Sequence, residues 1–292
     1  MQWIWIAVLI AMISSCRSDI TQVLPEEDSS DFVLLTDVIP EAILEIRYYS
    51  EYNFIGDRIP GYEAPIAMMT RQAADSLKAV SDELKAKGYC IKIYDAYRPQ
   101  CAVDYFMTWA KDVDDVRMKE SFYPELDKSV LVPQEYVAEK SSHTRGSTVD
   151  LTLVNIKTGR EVDMGCVFDY FGVASHPDVL PGQEIGAYQP INEEQYRNRM
   201  ILRDAMLAHG FKPYECEWWH FTLENEPYPD TYFTFPLRIP ISQFLFLDSR
   251  INNDGYRTVI SISAPKTPLK TCLPAFSARS SQYLSYSGTA RS

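Results

Sequence analysis

Two strand-like segments carry charge where a β-sheet core wants none, and they constrain this chain more than any other feature. The run TVDLTLV, residues 148–154, holds Asp150, and YECEWWHFTL, residues 214–223, holds Glu217 and His220 between aromatic residues. An acid buried in such a strand costs several kcal/mol unless it is paired or bound to a cation. On a flat strand residues i and i+3 also point to opposite faces, so Glu217 and His220 can share a site only across a twist, bulge or turn. The chain has four histidines, and His143 stands in SSHTRGSTVDLTL, seven residues before Asp150. A metal ion explains the pattern: His and Asp ligands hold it, and a nearby Glu that is not a ligand takes a proton from the attacking water. A structural alternative pairs Glu217 with Arg98 beneath Trp218 and Trp219. Of the other histidines, His209 ends a helix as the helix dipole favours, and His176 lies in a Pro-containing loop.

Around these segments the periodicities predict an α+β domain with a small, mainly antiparallel sheet and packed helices. Strands are expected over 41–50, 89–97, 148–154 and 214–223, and helices over 70–87, 100–112 and 191–210. In the first helix Ala73, Leu77, Val80 and Leu84 share a face, Thr70 is placed to cap it, and Gly88 stops it. Residues 53–65, NFIGDRIPGYEAP, read as a loop. No internal repeat is present.

Charge and composition narrow the function. The net charge is −12, and residues 238–292 alone carry +5, which leaves −17 on residues 1–237. That balance excludes a nucleic-acid surface, which needs clustered Lys and Arg. At the N-terminus the apolar run Trp3–Ile13 has the length of a signal h-region and ends in Ile13-Ser14-Ser15-Cys16, which resembles the lipobox of bacterial lipoproteins. No Lys or Arg precedes the run, and a shortened membrane anchor is the alternative. The expected organisation is a signal segment over 1–16 with Cys16 as the lipidation site, a tether over 17–32, a catalytic domain over 33–237 and an extension over 238–292. The extension reads as loosely ordered, with room for a small strand pair around 239–263. The membrane is met only through the lipid anchor, in the bacterial cell envelope. Five cysteines besides Cys16 leave at least one unpaired in a monomer, and none has the C-x-x-C spacing of a cysteine-built zinc site.

Taken together, Ser141, His143, Gly146 and Asp150, followed by Glu217, Trp219 and His220, resemble the signature of the D-Ala-D-Ala dipeptidase family of zinc peptidases. The wider class includes D,D-carboxypeptidases and the Hedgehog signalling domain. The stretches IRYYSEYNFIGDRIPGYE (46–63), YDAYRP (94–99) and DMGCVFDYFG (163–172) narrow the likeness to the dipeptidase branch. The resemblance spans about residues 33–237. It implies one Zn2+ per chain on His143, Asp150 and His220, Glu217 as general base, and Arg98 steadying the oxyanion. It further implies that Asp169 receives the ammonium of a small dipeptide, with Ser141, Tyr62 and Tyr48 lining the pocket. Two alternatives stay open: a D,D-carboxypeptidase or other stem-peptide peptidase on the same scaffold, and a zinc-binding surface lipoprotein without catalysis.

Overall fold

The computed structural model describes residue 29 and residues 31–134, 136–186 and 188–239. The lipobox at Cys16 and nearly all of the extension lie outside the described residues. Among the described residues eight strands are formed: β1 (Phe32–Leu34), β2 (Ile43–Leu44), β3 (Met68–Thr70), β4 (Tyr89–Asp95), β5 (Thr148–Asn155), β6 (Arg160–Glu161), β7 (Phe211–Tyr214) and β8 (Glu217–Leu223). Three long helices, α1 (Arg71–Ala86), α2 (Gln100–Lys111) and α3 (Glu193–Ala208), accompany them, with short helical turns between. The main sheet has the order β2-β4-β5-β8-β7, with β6 pairing β5, and only the β2–β4 contact is parallel. β1 and β3 form a separate antiparallel pair. The α+β class with a small, mainly antiparallel sheet is therefore the observed architecture.

The differences from expectation have local causes. The strand expected over 41–50 shrinks to Ile43–Leu44, because the chain turns into a 3-10 helix at Arg47–Tyr49. Thr70 precedes α1 but its hydroxyl does not cap it; Thr70 Oγ1 bonds Ser147 Oγ at 2.9 Å instead. The segment expected as one strand over 214–223 is broken by a turn at 215–216: Tyr214 ends β7, and Glu217–Leu223 returns beside it as β8, the second arm of a hairpin. Asn192 caps α3 through a reciprocal pair of bonds with Gln195. His209 follows α3 and bonds Glu83 Oε2 at 2.9 Å, which ties the ends of α1 and α3 together. No disulfide joins the four described cysteines, Cys90, Cys101, Cys166 and Cys216.

β5 sits at the centre of the sheet, and its residues 148–154 are all buried. Alternation sends Val149, Leu151 and Leu153 into the hydrophobic core, while Thr148, Asp150 and Thr152 take the opposite face. Entry into β5 depends on Gly146, whose φ of 80° closes the 3-10 turn Ser142–Arg145. A Cβ added there would lie 2.3 Å from the Phe32 ring. Gly146→Ala thus combines a left-handed backbone with overpacking, and a loss of about 2–4 kcal/mol in thermal or denaturant unfolding is expected.

Candidate active site

Cross-strand register brings the first two polar groups together. Asp150 of β5 stands directly opposite His220 of β8. His143 arrives from the 3-10 turn before β5, where Ser141 Oγ accepts the His143 backbone N–H at 3.3 Å. One ligand atom from each of His143, Asp150 and His220 then lies within 4.8 Å of the others. His143 Nε2 is 3.2 Å from Asp150 Oδ2, and His220 Nδ1 is 3.2 Å from Asp150 Oδ1 and from His143 Nε2.

The outward nitrogens define what the inward ones offer. His143 Nδ1 donates to the Ala96 carbonyl at 2.7 Å, so its Nε2 faces the cluster as a lone pair. His220 Nε2 lies 3.2 Å from Ser142 Oγ and 3.5 Å from Thr222 Oγ1, which directs the His220 Nδ1 lone pair inward in the same way. Asp150 Oδ1 is buried and accepts no hydrogen bond. Two imidazole lone pairs and a carboxylate converging in a buried site suit a divalent cation. Burial opposes charging His220, but the adjacent carboxylates of Asp150 and Glu217 outweigh it and lift the imidazole to about 9.

Glu217 reaches the same face. The register of β7 against β8 shifts between Pro213, opposite Phe221, and Tyr214, opposite Glu217. That irregularity lets residues 217 and 220 point together, and Glu217 Oε2 stands 3.4 Å from His220 Nδ1. The alternative pairing of Glu217 with Arg98 is not formed; Arg98 makes its ion pairs with Asp95 at 2.9 Å and Asp150 at 3.7 Å. The guanidinium also lies over the rings of Tyr48 and Phe106, at 4.9 and 5.2 Å.

Asp95 is the site residue that motif reading missed. It is fully buried at the end of β4, where its Oδ2 accepts Arg98 Nε at 2.9 Å and its Oδ1 accepts the Tyr62 hydroxyl at 2.7 Å. A carboxylate closing a buried strand three residues before Arg98 was the available signal, by the same burial argument that singled out Glu217. Tyr62 takes its position from Asp95. Expected on the pocket wall, it does not line the cavity and instead braces the carboxylate that holds Arg98.

A cavity of about 500 Å³ opens over these groups, with Tyr48, Ser141 and Asp169 on its wall. Asp169 is the one described non-glycine residue in the left-handed region, at φ 62°. Its Oδ1 accepts the Tyr48 hydroxyl at 3.2 Å, while its Oδ2 is buried without a hydrogen bond. Burial, reinforced by the charges of Asp150 and Glu217, pushes the Asp169 carboxyl well above its ordinary range. Burial likewise raises the Tyr48 phenol, which stays a hydrogen-bond donor.

A stability effect follows from Asp169. An acid whose folded-state pKa is raised binds more protons in the native than in the unfolded state, so it costs stability as pH rises above its ordinary value of 3.8. Asp169→Asn removes that cost and suits the left-handed backbone. In the metal-free, ligand-free protein at pH 7 it is expected to raise Tm by roughly 2–8 °C. An unchanged or lower Tm would contradict the buried, unpaired state of the carboxylate.

Two histidines and one aspartate suited to one divalent metal ion, with a glutamate outside that trio and a fixed arginine facing the same cavity, form the arrangement a metallopeptidase needs. Comparison with known proteins makes this specific. A family model described as D-ala-D-ala dipeptidase matches residues 28–238, and the chain belongs to that family. The D-alanyl-D-alanine dipeptidase of Enterococcus faecium is 37% identical over 207 residues, covering 71% of this chain and 98% of the relative. Its counterpart in Enterococcus faecalis is 38% identical over 204 residues, covering 70% and 96%. The one in Escherichia coli is 30% identical over 197 residues, covering 67% and 86%.

Proposed function

We propose that this chain hydrolyses the free dipeptide D-Ala-D-Ala to two molecules of D-Ala, with Zn2+ held by His143, Asp150 and His220. The observation that carries the choice of substrate is Asp169. A carboxylate left buried with one oxygen unpaired on a cavity wall is costly, and the ammonium of a free dipeptide supplies the missing partner. A longer peptide lacks an ammonium at that point and would leave Asp169 unpaired.

An ion held by these three residues would acidify a water and polarise the scissile carbonyl. The protein residues do the rest. Glu217 accepts the proton of the attacking water and passes it to the leaving amine. Arg98, fixed by Asp95 and by the faces of Tyr48 and Phe106, presents positive charge to the oxygen that becomes negative. Tyr48 donates to Asp169 and keeps one of its oxygens turned from the substrate, leaving the other for the ammonium. Ser141 fixes the turn that carries His143 and lines the cavity beside it.

The test compares D-alanine release from D-Ala-D-Ala and from its N-acetyl derivative by the zinc-loaded full chain. Release from the free dipeptide alone supports this reading. Equal or faster release from the blocked or a longer D-Ala-terminated peptide would make the protein a D,D-carboxypeptidase. No release despite bound zinc would favour a binding protein. The lipobox at Cys16 supports an exported, lipid-anchored protein that consumes wall-derived dipeptide in turnover or scavenging. Fractionation that left the uncleaved chain in the cytoplasm would remove that role.

A further inference from the structure

Asp169 lies in the middle of a loop between β6 and α3, five residues from Met164 on one side and five from Ala174 on the other. Both feet of this loop meet a single side chain of α3. Arg199 donates from Nε to the Met164 carbonyl at 2.7 Å, from Nη2 to the Ala174 carbonyl at 2.8 Å and from Nη1 to the His176 carbonyl at 3.1 Å. Arg199 is 2% exposed and makes no ion pair among the described residues. Burying a guanidinium against neutral carbonyls is expensive, and burial alone lowers its pKa. Apolar contacts could cover α3 at less cost. What they cannot do is tie two chain segments at once, which the planar five-donor fork does.

The neighbouring contacts serve the same loop. Gln195 and Asn198 of α3 donate to Asp163 Oδ2 and to the Asp163 carbonyl, both at 2.9 Å. Trp218, adjacent to Glu217, donates from Nε1 to Cys166 Sγ at 3.3 Å. Within the loop, the Phe171 N–H bonds the Phe122 carbonyl at 2.7 Å, and the Phe168 ring stacks on Tyr94 at 4.5 Å. Asp169 keeps its left-handed conformation at the centre of this frame. A strained residue of that kind persists only where its surroundings over-determine it.

We infer that Arg199 is a positioning residue for substrate specificity: by clamping both feet of the 163–176 loop it holds Asp169 where the substrate ammonium binds. The inference rests on the ammonium-binding reading of Asp169. Arg199 touches no substrate and belongs to neither the ligand set nor the proton path.

A double-mutant cycle on the zinc-loaded full chain tests this, using Arg199→Lys, Asp169→Asn and the pair. The readouts are KM and kcat for D-Ala-D-Ala, zinc bound per chain, and Tm. Lysine keeps the charge but cannot span three carbonyls. Arg199→Lys is expected to raise KM by about tenfold or more, with kcat within about threefold and zinc content unchanged. In the Asp169→Asn background it should add nothing to the KM already raised. Additive penalties would overturn the positioning role. So would a normal KM in Arg199→Lys beside a raised one in Asp169→Asn, and this outcome leaves the ammonium reading intact. A normal KM in Asp169→Asn overturns both. Should Arg199→Lys fail to fold, Asn198→Ala frees the Asp163 carbonyl at one foot and goes through the same cycle. A smaller rise in KM that vanishes beside Asp169→Asn is then expected, whereas a lower Tm with unchanged KM marks a merely structural contact.

Discussion

Glu217→Gln is expected to lower kcat for D-Ala-D-Ala by about 10²–10⁴-fold while the protein keeps its fold and its metal. The substitution is nearly isosteric, and Glu217 stands outside the ligand trio, 3.4 Å from His220 Nδ1. It removes the group that can take a proton from water and return it to the leaving amine, and little else. The measurement pairs D-alanine release with zinc content. A variant that binds one zinc and retains more than about a tenth of the parent kcat would show that the proton moves by another route. Loss of zinc along with activity would instead make Glu217 part of the metal site.

Arg98→Lys is expected to lower kcat by about 10²–10³-fold, with a much smaller change in KM. Charge alone does not define what Arg98 does. Its Nε and Nη2 both engage Asp95 Oδ2, and its flat face lies over Tyr48 and Phe106. A lysine ammonium can neutralise Asp95 but reproduces neither the fork nor the stacking, so the cation moves off the position where the oxyanion forms. Steady-state kinetics separate the cases. A raised KM with unchanged kcat would reassign Arg98 to ground-state binding of the substrate. Asp95→Asn offers a milder version of the same test, since it weakens the anchor and leaves Arg98 in place.

The local sequence by itself carried the chemistry of the ligands. His143 and Asp150 sit seven residues apart across one turn, and Glu217 and His220 occupy one strand, so spacing and burial cost made them candidates, and the family resemblance chose a metal site over a structural pairing. Helix α1 was equally legible, because its apolar face repeats with the period of the helix itself. What tertiary structure decided is how these local pieces meet. The pairing of Asp150 with His220 is a contact between strands 70 residues apart, and the register shift that turns Glu217 towards His220 belongs to β7 as much as to β8. Asp95 became part of the site only when Tyr62 and Arg98 closed on it, and Tyr62 left the pocket wall for the same reason. In sequence Arg199 is one of several charged residues along α3, and its burial exists only because a loop folds back over it. Periodicity and spacing report on neighbours along the chain. Register, burial and the partners of a buried charge are fixed by groups far away in sequence, whose approach no local pattern encodes.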